Sequence, residues 1–153
     1  MELKRQCDET GYKPDYVFLA SGTGSTQAGI VVGLDLVGWS SVKCVGISVA
    51  RQQERGKQVI SEFANMLASY YGLQKDYTDS ILFNTDYLCG GYEHYTKEMK
   101  KYLDDAMKMT GLVFDTTYSG KGFYGMMQEI KKHHLEDKNI VFWHTGGLMN
   151  IMK

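Results

Sequence analysis

The sequence predicts an α/β domain, a parallel sheet between helical layers, and three observations lead there. Short apolar runs of strand length recur at Asp15 to Ala20, Val42 to Val49, Ser80 to Phe83 and Asn139 to Trp143. Between them lie longer segments with apolar residues at helical spacing, and the strands are followed by loops rich in glycine and hydroxyl residues. Strands that alternate with helices pair in parallel through crossover connections, which makes a three-layer domain the expected architecture. A length of 153 residues suits a single domain with one core, and no linker or repeat divides it.

Taken in order, the chain opens with a helix, Glu2 to Glu9, and its only proline, Pro14, stands just before the first apolar run, DYVFLA. A Gly-rich loop, Ser21 to Ser25, leads into a helix over Thr26 to Val37, and the second strand follows at Val42 to Val49. Val59, Ile60, Phe63, Met66, Leu67 and Tyr70 then recur on one helical face up to the stop at Gly72. After the third strand, Tyr95, Met99, Tyr102, Ala106 and Met109 predict an amphipathic helix over Glu93 to Thr110 that ends at Gly111. The last unit is a helix from about Gly120 to His134, the strand Asn139 to Trp143 and a short terminal helix.

Composition excludes several classes of function. A formal charge of -1 offers no field to attract a polyanion, so neither nucleic acid nor an anionic membrane is an expected partner. The apolar runs are too short to span a bilayer and no apolar segment follows Met1 to Arg5, so a cytoplasmic location is expected. Cys7, Cys44 and Cys89 show no CxxC spacing and are odd in number, which suits reduced, packed thiols better than disulfides or zinc. His133 and His134 are neighbours that point apart on a helix, so no metal site is expected.

The chemistry-bearing segments lie where an open parallel sheet gathers ligands, at the carboxyl ends of its strands. Ala20-Ser21-Gly22-Thr23-Gly24-Ser25-Thr26-Gln27 joins a strand to a helix, so its backbone N–H groups face outward at the positive end of the helix dipole. Gly22 and Gly24 permit the turns and close approach a phosphate requires, and Ser25 and Thr26 add hydroxyl donors. There is no GxxxxGK[ST], and the third glycine of GxGxxG would fall on Gln27, so neither a nucleoside triphosphate nor a dinucleotide is supported. Tyr92, after Gly90-Gly91, and Tyr118, before Ser119-Gly120-Lys121, could pack against neighbours, stack on a planar ligand or, provided neighbours lower the phenol pKa from about 10, move a proton. His144-Thr145-Gly146-Gly147 follows the fourth strand, where the Thr145 hydroxyl could meet a ring heteroatom.

In this order and spread, SGTGSTQAG, GGY, DTTYSGKG and HTGG resemble the C-terminal half of the D-cysteine desulfhydrase and 1-aminocyclopropane-1-carboxylate deaminase family. The resemblance runs from near residue 10 to the end and implies half of the large domain of a fold-type II pyridoxal-phosphate (PLP) enzyme, similar to the tryptophan synthase β subunit. It implies a homodimer that acts on small amino acids. It further implies that Gly22, Thr23, Gly24, Ser25 and Thr26 bind the cofactor phosphate, that Tyr118 and Tyr92 face substrate, and that Thr145 meets the pyridine nitrogen. Deaminases of the ring-opening type carry Glu after the Y-x-G-K tyrosine, whereas this chain has Ser119, which favours desulfhydrase-like elimination.

The sequence departs from that family in one decisive respect. The S-x-N-K-type motif with the Schiff-base lysine is absent from the 153 residues, and Lys121 reads as a structural residue of the Y-x-G-K helix start. The chain is therefore expected to be inactive alone, with bare sheet edges that favour a homo-oligomer or a complementing N-terminal half. A noncatalytic phosphate-ligand binding module, or an interaction protein without a ligand, is the alternative.

Overall fold

A computed structural model describes residues 1–147. The elements are α1 (Glu2–Thr10), β1 (Tyr16–Ser21), α2 (Ser25–Leu36), β2 (Lys43–Ser48), α3 (Gln53–Tyr70), β3 (Leu82–Asn84), α4 (Lys97–Thr110), α5 (Ser119–His133) and β4 (Ile140–Trp143). The expected terminal helix lies outside the described residues. The four strands form one sheet in the order β3-β2-β1-β4, and every pairing is parallel. Register aligns Ser21 with Ser48 and Val17 with Val141, so the carboxyl ends of the strands share one edge of the molecule.

Side chains of a strand alternate between faces, and here each face meets its own helical layer. Val17 and Leu19 pack with Cys7 of α1, Leu34 of α2 and Trp39 on one side, while Phe18 and Ile47 meet Met126 of α5 on the other. Full burial of each such side chain stabilises by roughly 1.5–3 kcal/mol, which makes β1 the axis of the core. Gly122 lets α5 lie directly on the sheet, because a Cβ there would come within 2.8 Å of the Ala20 nitrogen. Cys7 and Cys44 are buried free thiols, and burial pushes Cys44 up to about 12, as expected of packed, unreactive residues.

Two helices differ from expectation. The α4 helix begins at Lys97 rather than Glu93, because the Thr96 hydroxyl caps it by accepting from the Met99 N–H at 3.1 Å, and Glu93 sits at a left-handed φ of 61°. Its buried face is Met99 and Leu103, so Tyr95 and Met109 stay exposed. In α3 the core takes Gly56, Ile60, Ala64 and Ala68, whereas Phe63, Met66 and Tyr70 of the expected stripe are 39%, 69% and 83% exposed. Small residues let α3 pack closely on α2 and the sheet, which turns the larger ones outward next to Ser25. No described helix is long and apolar enough to cross a membrane.

Candidate functional site

Four loops meet at the carboxyl edge of the sheet. The loop after β1 enters α2 through Gly24, whose φ of 95° places it in the left-handed region, and α2 starts with no side-chain cap. The N–H groups of the first helical turn therefore face outward beside the exposed side chains of Thr23, Ser25 and Thr26, with the Thr23 and Ser25 hydroxyls 3.1 Å apart. Arg51, in the turn after β2, donates from Nε to the Gly22 carbonyl at 2.9 Å and adds a cation to this rim. The donor set is N–H groups, hydroxyls and a guanidinium, with no carboxylate in the loop, which is the chemistry of a phosphate cradle. The space above Gly22 is narrow: a Cβ there would lie 3.3 Å from Val49 and 3.9 Å from the ring of Tyr118. The residues present thus fit a phosphate group.

Tyr118 stands at the N-cap of α5 and meets Tyr92 edge to face, with ring centroids 5.9 Å apart and hydroxyl oxygens at 2.5 Å. The structure thus brings together Gly22, Tyr118 and Tyr92 from three separate loops. The hydrogen bond with Tyr92, with burial second, favours the protonated phenol and raises Tyr118 to about 12. A phenol whose pKa is raised on folding contributes stability present below pH 10 and lost as pH rises through about 12. Urea unfolding between pH 9 and 12 is expected to show a smaller loss for Tyr92→Phe than for the unmodified chain.

Ser119 is placed differently from the tyrosines. It is buried, its hydroxyl donates to Asp115 Oδ1 at 2.6 Å, and it accepts from the Asp115 N–H at 3.0 Å. The Asp115 carboxylate also accepts from the N–H groups of Thr117, Tyr118 and Ser119 at 3.1, 2.9 and 2.7 Å, and so caps α5 from within. Gly147 closes over this knot, since a Cβ on it would come within 2.6 Å of Asp115 Oδ1. Thr145 is exposed on the same loop, two residues before that contact. His144 shapes the loop: Nδ1 accepts from the Gly146 N–H at 3.1 Å, which leaves Nε2 to donate to the Val113 carbonyl at 3.0 Å. Lys121 is fully buried, and its ammonium donates to the carbonyls of Gly91 and Val49.

Asp115, Arg51 and the partners of Lys121 are not legible in the sequence. DTTYSGKG shows an acidic residue four positions before Ser119, a spacing that hints at a cap, but nothing local distinguishes it from a solvated aspartate. Arg51 comes from a turn distant in sequence from the loop it supports. Among the described residues no cluster of three or more His, Cys, Asp or Glu could hold a metal ion.

Known proteins are similar to this chain in sequence and fold. A candidate 1-aminocyclopropane-1-carboxylate deaminase of Pyrococcus abyssi is 34% identical over 152 residues, which is 98% of this chain and 44% of that protein. The 1-aminocyclopropane-1-carboxylate deaminase of Burkholderia cenocepacia is 28% identical over 148 residues, 95% of this chain and 44% of its own length. The crystal structure of a homologue of that deaminase superposes with a TM-score of 0.77 at 27% identity, covering 94% of this chain and 44% of the other. The chain thus spans under half the length of the relatives it matches. The resemblance stated from the four motifs agrees with these relatives, and the parallel α/β architecture agrees with the solved homologue. The pyridoxal-phosphate dependent enzyme family matches residues 1–146, and with the Gly-rich cradle, the tyrosine pair and the capped α5 already in place, the chain belongs to that family.

Proposed function

We propose that this chain is the C-terminal, phosphate-holding half of a PLP-dependent lyase or deaminase of desulfhydrase type, which eliminates from a small amino acid to give an oxoacid and ammonia. The observation that carries the reading is the meeting of Tyr92 and Tyr118 hydroxyls beside Gly22 of the Gly-rich loop. A pure phosphate-binding module gives no reason for two phenols from distant loops to converge there. When bound, pyridoxal phosphate supplies an electron sink for the α-carbon of an amino acid. Gly22, Thr23, Gly24, Ser25 and Thr26 hold its phosphate, and Arg51 adds charge to the rim. Tyr118, held protonated by the pair, would donate at the substrate, while Tyr92 orients its hydroxyl. Thr145, on the loop after β4, would meet the ring nitrogen of a bound cofactor, and Ser119, tied to Asp115, fixes the start of α5 at Tyr118.

As the 153-residue chain, it is expected to bind the cofactor reversibly and to lack turnover, because no S-x-N-K lysine is present and Lys121 is engaged with two carbonyls. Borohydride reduction at equimolar PLP followed by mass spectrometry should show no stoichiometric lysine adduct; one fixed lysine would mean that the chain recruits its own. Ser25→Ala combined with Thr26→Ala is expected to weaken PLP at least tenfold, about 1.4 kcal/mol, the scale of a hydrogen bond to a charged group. Unchanged affinity in a fluorescence titration would sink the phosphate assignment.

The same reading includes self-association. Phe63, Met66 and Tyr70 form an exposed apolar face on α3, and β3 and β4 are the outer strands of the sheet. A homodimer or larger species is expected in light scattering at micromolar concentration, and Met66→Lys with Tyr70→Glu is expected to raise the monomer share. A monodisperse monomer of the unmodified chain counts against it.

A further inference from the structure

Lys121 is a buried cation to which neither the phosphate cradle nor the tyrosine chemistry gives a task. It lies in the first turn of α5, at 0% exposure, and its ammonium reaches two main-chain carbonyls. The Val49 oxygen, at 3.4 Å, ends the second strand region; the Gly91 oxygen immediately precedes Tyr92. Burial lowers its pKa, while Cys89 and Asp115, the titratable groups that face it, oppose that shift. An ammonium removed from water in this way is costly unless its donors are used, so its position is specified by polar partners rather than by apolar packing.

Two residues of the segment it grips are strained: Cys89 and Glu93 adopt left-handed φ of 54° and 61°, on either side of Gly90 and Gly91, which take 98° and 124° without penalty. Two such non-glycine residues this close together persist only where the surroundings over-determine them. Tyr92 sits within this segment, half exposed and without a helix or strand to aim it, yet its hydroxyl meets Tyr118.

We infer that Lys121 is the positioning residue of the Tyr92 loop: its ammonium ties the Gly91 carbonyl to the end of β2 and thereby holds the Tyr92 hydroxyl on that of Tyr118. The functional meaning rests on the tyrosine pair belonging to the proposed site, but the tie itself is independent of any bound cofactor. In this arrangement Tyr118 is placed by its own helix start and Tyr92 by a lysine of that same helix. One rigid element, α5, thus sets both phenols.

The test uses the 153-residue chain without cofactor. Nuclear Overhauser contacts between the ring protons of Tyr92 and Tyr118 are followed in the unmodified chain, Lys121→Met and Lys121→Arg. Lys121→Met should lose those contacts while the Tyr118 N–H keeps its hydrogen bond to the Asp115 carboxylate, and the Tyr118 phenol midpoint should fall from about 12 toward the ordinary value near 10. Lys121→Arg, which restores charge and donors, should recover the contacts at least in part. Persistence of the Tyr92–Tyr118 contacts and of the high midpoint in a folded Lys121→Met chain overturns the inference. If Lys121→Met does not fold, the unmodified chain decides: a contact from the Lys121 ε-methylene to the Gly91 α-protons is required, and its absence overturns the inference. A PLP titration run in parallel separates the two readings, since lost cofactor binding with an intact tyrosine pair would remove the enzyme assignment and leave the lysine tie standing.

Discussion

Asp115→Ala is expected to destabilise the chain by about 3 kcal/mol and to lower its melting temperature by roughly 6–12 °C, the largest effect of any polar substitution here. Its carboxylate accepts from three main-chain N–H groups and from the Ser119 hydroxyl at 2.6 Å, all within a pocket where Asp115 is 2% exposed. Removal leaves those donors without water or partner, so the penalty is that of unsatisfied buried groups rather than of one lost bond. The first turn of α5 should fray, and Tyr118 with it, so PLP affinity is expected to fall as well. Asp115→Asn keeps the shape and one acceptor oxygen and should cost less than alanine. Calorimetry checks the ordering; a shift below about 2 °C for Asp115→Ala would remove the carboxylate as the organiser of this corner.

Gly24→Val carries the second large effect, expected at about 2–4 kcal/mol with loss of measurable PLP binding. Two causes add. Gly24 has φ of 95°, a conformation that a β-branched residue adopts only under strain, and its Cβ would come within 2.7 Å of the Ile60 side chain. The only relief is to lift the Gly-rich loop away from α3, which also turns the N–H groups of α2 from the phosphate. Gly29→Ala is the control on the same helix. A Cβ at Gly29 meets nothing within 4 Å, so this change should leave binding intact and stabilise by roughly 0.5–1 kcal/mol. Denaturant titration of both variants tests the pair, and equal stability of the two would refute the close packing of loop on α3.

Much of this architecture is legible in the residues alone. The strand DYVFLA, the glycines after it and the helix expected from Thr26, found from Ser25, follow from apolar run length, turn chemistry and period. Those signals are local, and so they survive without knowledge of the fold. Three of the four motifs follow β1, β3 and β4 at the carboxyl edge that parallel pairing gives them in common, and the fourth opens α5, which packs on that sheet; their order matched the family.

What the residues could not settle is which helical positions find a neighbour. Periodicity marks an apolar face, yet Phe63, Met66 and Tyr70 are outside while Ala64 and Ala68 are inside, because close approach between α3, α2 and the sheet admits only small side chains. The start of α4 was likewise decided by a Thr96 cap after a loop with Glu93 at left-handed φ rather than by the Tyr95 to Met109 stripe. Tertiary structure alone made Asp115 a buried cap, gave Arg51 the Gly22 carbonyl and engaged Lys121 with Gly91 and Val49. Polar groups acquire their roles from partners distant in sequence, and a buried charge is placed by the groups that repay its lost hydration, which no single stretch of sequence contains.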